Sequence, residues 1–476
     1  MRTVTTDKGH VSGVIIGGPG NEVTVFRGIP YAAPPVREFR WRSPQPSEPW
    51  AGVRECVNFT PLPPQGTLIP PDANKEPRQL PPPRPMMPQS EDCLYLNVLT
   101  PARDPDDRLP VMVWIHGGGF AMGSGNEALT NFHRLPQHGI VLVTVNGRLG
   151  PFGLAAHPAL TAESADHASG NYLFLDLIAA LEWVQKNINA FGGDKDNVTI
   201  FGESGGGAKV ISLVVSPLAK GLFHKAIAES GSPDGKSLVE LEATGEQFFT
   251  RLGITSPHPL EEVRSLPWER IIEIDRELTL ERNIAGRGGI WDAAIDGWFL
   301  PDTPLNLFRQ GLQSKVPLIV LANLGELSTA AGAYLVPHYL EELRSMARTD
   351  VPGRAIIFDQ VPPTWRQEGC FSFHALELGY VFGDWDNTTG FWDGTFMMAR
   401  SAGAKSKNPG LNEVDRHVSE QMMKMWTQFT RTGNPCTTQA GDWPVWEETT
   451  DSYLYVNGDA IVRTGFSQLP VGVKNV

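Results

Sequence analysis

Gly202-Glu203-Ser204-Gly205-Gly206 is a G-x-S-x-G. It follows Asn197-Val198-Thr199-Ile200-Phe201, a short, β-branched, apolar run that reads as a buried strand. It precedes Ala208 to Val215, apolar and long enough to start a helix. A serine at such a strand-to-helix join is the arrangement of a nucleophile elbow. Glycines flank it because the turn is sharp and neighbouring backbone comes too close for a Cβ. The strained turn lifts the hydroxyl out of the sheet, and the helix start aims free N–H groups at the same place. Five residues alone would fit an ordinary glycine-rich turn with an idle serine. The strand before and the helix after make that the weaker reading.

A serine hydroxyl is a poor nucleophile until a base takes its proton, and the base needs a third group to orient it. Behind an elbow of this kind the chain order is serine, acid, histidine. The histidines after Ser204 are His224, His258, His338, His374 and His417. His224 comes too soon to leave room for an acid on an intervening strand. His258, between two prolines, belongs to a surface loop, and His338 and His417 lie in charged helical stretches. His374, in a small and aromatic loop, is favoured by spacing alone. For the acid, Glu326 follows the apolar strand Val316 to Ala322 and so leaves a sheet at its carboxyl edge. Glu273, Asp292, Asp296 and Asp302 compete with it.

A second constellation precedes the elbow. Val111 to Ile115 is a fully apolar strand that runs into His116-Gly117-Gly118-Gly119-Phe120. Consecutive glycines after a buried strand let backbone amides point into a cavity, as an oxyanion hole requires. A flexible turn is the bland alternative, and the position before the elbow decides against it.

These pieces need a scaffold. Val11 to Ile16 and Glu22 to Phe26, joined by Gly17-Gly18-Pro19-Gly20-Asn21, predict an antiparallel hairpin. Leu94 to Leu99 and Gly139 to Val145 read as further strands. Asp176 to Ala190 reads as an amphipathic helix, with Leu177, Leu181, Val184 and Ile188 at steps of four, three and four. Leu222 to Ser232 again ends a strand in small residues. Val414 to Thr430 is helical, and Tyr453 to Val456 reads as a late edge strand. Apolar strands alternating with helices indicate an α/β fold with a large, mainly parallel central sheet. Eleven of the forty prolines lie between Pro61 and Pro88. That segment is neither helix nor central strand, and we expect a surface loop there. From about Gly235 to Glu281 the chain is helical and charged.

The 476 residues can bury a large core. No linker or charge block suggests a split, so one domain over 1–476 is expected, with a Pro-rich excursion at 60–88 and a helical one around 235–285. The net charge of −13 argues against nucleic acid or an anionic membrane as partner. The longest apolar stretches are strand-sized, too short to span a membrane. The start lacks the apolar core of a signal peptide, which indicates the cytoplasm, or secretion where a leader has been removed. Cys56, Cys93, Cys370 and Cys436 are too few for a disulfide scaffold, and none shows metal-site spacing.

Together the residues resemble the type-B carboxylesterase and cholinesterase family of α/β-hydrolases. The matching stretches include Phe26 to Ala32, Ser90 to Val98, His116 to Phe120, Arg148 to Gly153, Phe191 to Asp194, Asn197 to Gly207, Gly221 to Ile227, Asp296-Gly297 and Thr432 to Pro435. They run in order over nearly the whole chain. The resemblance implies an α/β-hydrolase fold with helices on both faces of the sheet. It implies Ser204 as nucleophile, His374 as base and acid, and Glu326 as orienting acid. It implies Gly118, Gly119 and Gly205 as oxyanion donors and Glu203 as a residue that tunes the site. Phe120, beside the oxyanion glycines, is the expected acyl-pocket contact. A small ester is the implied substrate, without metal or organic cofactor. Oligomeric state stays open. Four departures from the family pattern stand out. Gly205 replaces an alanine, Leu327 follows the acid where glycine is usual, and Leu173 closes a Gly-Asn-Tyr-Gly. Pro63 occupies a disulfide position whose partner is Cys93, so either Cys56 substitutes or both thiols are free. An amide or carbamate hydrolase with the same triad, or a non-catalytic relative, are the rival readings.

Overall fold

A computed structural model of the protein describes residues 1–66, 87–282, 289–329, 332–437 and 443–472. The proline-rich stretch lies largely outside them. The first five strands are β1 (Arg2–Thr5), β2 (His10–Ile16), β3 (Val23–Pro30), β4 (Val53–Glu55) and β5 (Tyr95–Thr100). They are followed by β6 (Leu109–Ile115), β7 (Val141–Val145), β8 (Gly193–Glu203) and β9 (Lys225–Glu229). A small parallel pair, β10 (Lys236–Ser237) and β11 (Ala294–Ile295), stands apart. The last four are β12 (Leu318–Asn323), β13 (Gly353–Phe358), β14 (Ser452–Asn457) and β15 (Asp459–Thr464).

All but the small pair join one sheet in the order β1-β2-β3-β5-β7-β6-β8-β9-β12-β13-β14-β15, with β4 paired to β2. From β7 to β14 every neighbour is parallel. β1 against β2, β2 against β3, β3 against β5, β5 against β7 and β15 against β14 are antiparallel, while β4 runs parallel to β2. Parallel strands are covered on both faces, which is why their sequences are apolar throughout rather than alternating. Along β6, Val111, Val113 and Ile115 join one core and Met112 and Trp114 the other. The helices Tyr172–Asn187 and Gly205–Val215 cover the first face, and Glu413–Thr432 covers the second.

Two expectations need correction. The helix expected from Asp176 begins at Tyr172; Leu177, Leu181, Val184 and Ile188 are buried as expected, and the exposed Glu182 and Lys186 mark a narrow outer stripe. Asp176 misleads because its charge is hidden in a bidentate pair with Arg148, at 2.6 and 2.9 Å, where both side chains are buried. Tyr453 to Val456 is not at the edge: β14 has neighbours on both sides, and β15 is the edge strand. The thiols of Cys56 and Cys93 are both free and buried, so no disulfide joins them. The base of the Pro-rich excursion is closed instead by main-chain hydrogen bonds, Leu62 N–H to Pro88 C=O and Ser90 N–H to Leu62 C=O, at 2.8 and 2.9 Å. The expected charged helical region contains the helices Leu238–Leu252, Pro259–Ser265 and Trp268–Glu281. Among the described residues no helix is long and apolar enough to cross a membrane.

Candidate active site

β8 ends at Glu203 and the next helix begins at Gly205, so Ser204 is the whole turn. Its φ and ψ are +59° and −123°, a strained conformation for a residue with a side chain. Its N–H donates to the Glu229 carbonyl at 2.8 Å, which ties the elbow to β9. The glycines are required by contact. A Cβ at Gly202 would stand 2.4 Å from the Ile115 carbonyl oxygen, and one at Gly206 would stand 2.1 Å from the same atom.

Glu326, just past the end of β12, and His374, in the loop after the helix Pro363–Gln367, meet at this turn. Ser204 Oγ lies 2.8 Å from His374 Nε2. His374 Nδ1 lies 2.6 Å from Glu326 Oε2. The other carboxylate oxygen, Glu326 Oε1, accepts from Ser230 Oγ at 2.5 Å and from the Asn323 N–H at 2.7 Å. Glu326 is therefore fixed by three donors. Such an arrangement lets a hydroxyl lose its proton to the imidazole as it attacks a carbonyl carbon.

Opposite the serine, the chain leaves β6 and turns through Gly118 and Gly119 at φ +85° and +62°. The Gly118 carbonyl accepts from the N–H groups of Ala121 and Met122, at 3.4 and 3.2 Å. The N–H groups of Gly118, Gly119 and Gly205 make no hydrogen bond among the described residues. A Cβ on Gly205 would meet the Gly119 carbonyl oxygen at 2.0 Å, so the two loops are in backbone contact where the usual alanine methyl would sit. Phe120 is 7% exposed and packs edge-on against Phe174 at 5.7 Å between ring centres.

Charge at the site is concentrated in carboxylates. Glu203 Oε1 lies 3.2 Å from His374 Nε2. Burial, above all, raises the Glu203 pKa well above the carboxylate range, His374 opposes this, and Glu377 and Glu326 add to it. For His374, burial is the largest single influence and lowers the pKa. The pull of Glu203, Glu326 and Glu377 outweighs it and pushes the imidazole up to about 10. Glu203 and His374 are thus close enough for the charge of each to act on the other, and their titration is a property of the pair.

The competing residues are engaged elsewhere. His224 Nδ1 accepts from the Val198 N–H at 3.1 Å, His258 is exposed, and His417 lies 3.3 Å from Asp459. His338, expected in solvent, is mostly buried, 3.2 Å from Ser232 Oγ. Glu273 pairs with Arg270, and Asp302 bonds the Thr303 N–H. Asp292 takes the Ala293 N–H, and Asp296 takes those of Trp298, Phe299 and Leu300. Sequence reasoning missed Ser230, Glu229 and Glu377. Glu377 accepts from Asn323 Nδ2 at 2.6 Å, and Glu229 Oε1 from Trp426 Nε1 at 3.1 Å. The only sequence signal for Ser230 was the small residues closing β9.

Comparison with known proteins places this geometry. A family profile described as the carboxylesterase family matches residues 1–368 and 372–469. The chain is 33% identical to para-nitrobenzyl esterase of Bacillus subtilis, over 97% of this chain and 96% of that one. It is 30% identical to carboxylesterase 1C of Rattus norvegicus, over 95% of this chain and 89% of that one. The fold superimposes on that of a solved PNB esterase with a TM-score of 0.79, at 30% identity and with 97% of each chain covered. The hydroxyl–imidazole–carboxylate path on that sheet agrees with relatives of this kind along the length of the chain: the chain is a member of the carboxylesterase family of α/β-hydrolases and a hydrolase of carboxylic esters.

Proposed function

We propose that the chain cleaves small-molecule esters in two steps through an acyl-enzyme on Ser204. His374 takes the Ser204 proton as the oxygen attacks the ester carbonyl. The resulting oxyanion is held by the N–H groups of Gly118, Gly119 and Gly205. His374 then protonates the departing alcohol, and water attacks the acyl-enzyme with the same base. Glu326 keeps the proton of neutral His374 on Nδ1 and stabilises the imidazolium. Phe120 contacts the acyl group, and Glu203 borders the substrate and sets the proton affinity of His374. No step uses a metal or organic cofactor. The reading is carried by the unbroken path from Ser204 Oγ through His374 to Glu326, with links of 2.8 and 2.6 Å. An active-site organophosphonate should label the protein once, on Ser204. A label mapped to any other residue sinks the assignment. Matched ester and anilide substrates separate this reading from an amidase, since the amine must be protonated to leave.

The net charge of −13 supports a small-molecule partner rather than nucleic acid or a membrane surface. We read the chain as one hydrolase domain, working in the cytoplasm, or outside the cell where a leader has been removed.

Two further outcomes follow from the site. His374 acts as a base only when neutral, so kcat/KM rises with pH as the His374–Glu203 pair loses its proton. Glu203→Gln removes a charge that raises the His374 pKa, so the acid limb of the profile should move to lower pH. A limb that stays put contradicts this. Gly205→Ala drives a methyl against the Gly119 carbonyl and spreads the oxyanion donors. Loss of one such donor costs roughly 10² to 10³ in rate. Esterase assays should show kcat reduced by at least tenfold, on the order of a partial loss, with KM little changed.

A further inference from the structure

Lys209 sits in the first turns of the helix Gly205–Val215, five residues after Ser204, and is 1% exposed. Its Nζ donates to the His116 carbonyl at 3.0 Å. No carboxylate pairs with it among the described residues, and burial alone draws its pKa down to about 7. A buried amine without a counter-charge costs stability, and an apolar side chain of the same length would fill the space at no such cost. What the amine gains for the protein must therefore lie in what it holds.

It holds the first of three successive peptide units. The His116 carbonyl shares a unit with the Gly117 N–H, the Gly117 carbonyl with the Gly118 N–H, and the Gly118 carbonyl with the Gly119 N–H. In a trans peptide the carbonyl and the N–H point in opposite directions. All three carbonyls are tied down. Lys209 takes the first. His116 Nδ1, 2.9 Å from the Gly117 oxygen, takes the second. The N–H groups of Ala121 and Met122 take the third. Burial and then Lys209 push the His116 pKa well below its ordinary value, so the ring is neutral. Facing a carbonyl, Nδ1 carries its proton. Anchoring the carbonyls on one side leaves the Gly118 and Gly119 N–H groups presented on the other, as a concave donor pair.

We propose that Lys209 is a positioning residue, whose amine acts through the His116 carbonyl to aim the peptide N–H groups that stabilise the oxyanion. This rests on the assignment of Gly118 and Gly119 given above. Lys209→Met keeps the stem and removes the donor. Its kcat should fall by about 10- to 100-fold, below the roughly 10² to 10³ for outright loss of a donor. KM for the ester should change by less than about threefold. A trifluoromethyl ketone, which forms an oxyanion on Ser204, should lose affinity by the same factor as kcat. Tm should hold or rise, because a buried amine without a counter-charge has gone. A kcat within about twofold of wild type overturns the proposal, and so does a loss of kcat without loss of ketone affinity. Where Lys209→Met does not fold, Lys209→Ala is assayed with added propylamine. Recovery of kcat with the amine but not with propanol supports the proposal, and no recovery overturns it. A normal Lys209→Met beside a dead Ser204→Ala defeats this inference alone. An active Ser204→Ala defeats the reading beneath it.

Discussion

Ser204→Ala is expected to lower kcat for a p-nitrophenyl short-chain ester by about 10⁴- to 10⁶-fold. The reaction needs a nucleophile that is both exposed and deprotonated at the moment of attack, and the elbow supplies both. The backbone at φ +59° lifts the hydroxyl to the imidazole, and among the described residues Ser204 Oγ is the hydroxyl bonded to His374 Nε2. Alanine retains the turn, the glycine contacts and the oxyanion donors. Substrate should therefore still bind, and the residual rate should come from the donors and positioning alone. Tm should not fall by more than a few degrees, because the hydroxyl's hydrogen bond is to a partly exposed ring. Purified Ser204→Ala that hydrolyses the ester at the wild-type rate would remove the nucleophile from the mechanism.

Glu326→Gln should cost on the order of 10³- to 10⁴-fold in kcat with folding intact. The change looks small, since the shape is kept. Oε1 can still accept from Ser230 Oγ and the Asn323 N–H as an amide oxygen. The position 2.6 Å from His374 Nδ1 then becomes an NH₂ group, which can only donate. Nδ1 must turn acceptor, and the ring proton moves to Nε2, facing Ser204. A base with its proton already on the working nitrogen cannot take another. Glu203 and Glu377 do not replace Glu326: Glu203 lies on the Nε2 side, and Glu377 is held by Asn323. A kcat within tenfold of wild type would show that a different group sets the tautomer, with Glu203 or Glu377 the first to test. Steady-state kinetics with NMR of the imidazole nitrogens would measure rate and tautomer together.

The elbow was legible because its signal is local. Strand, G-x-S-x-G and helix are contiguous, and the glycines at 202 and 206 answer contacts that any residue with a Cβ would break. The glycine loop at 116–120 was legible for the same reason. The acid and the base were less so. Spacing and the preceding strand favoured His374 and Glu326 but left four competitors for each, and resemblance to a family made the choice firm. The long apolar helix at 172–187 was misjudged at its start, because a charge at position 176 reads as solvent-facing until Arg148 is found beside it. Glu229 and Glu377 carry no pattern at all, and Ser230 only the small residues that close β9. Their significance arises when β8, β9 and β12 lie side by side and bring their carboxyl ends to one rim.

The sequence by itself therefore determined the alternation of strand and helix, the turn at Ser204 and the glycine loop that faces it, since period, turn chemistry and steric need are properties of neighbours along the chain. Only the tertiary structure decided which imidazole and which carboxylate come together at Ser204, that Glu203 lies beside His374, and that a buried amine at 209 holds the His116 carbonyl. Those are contacts between residues 48 to 171 positions apart. Their strength depends on distance and on exclusion of water, and neither exists until the sheet has formed.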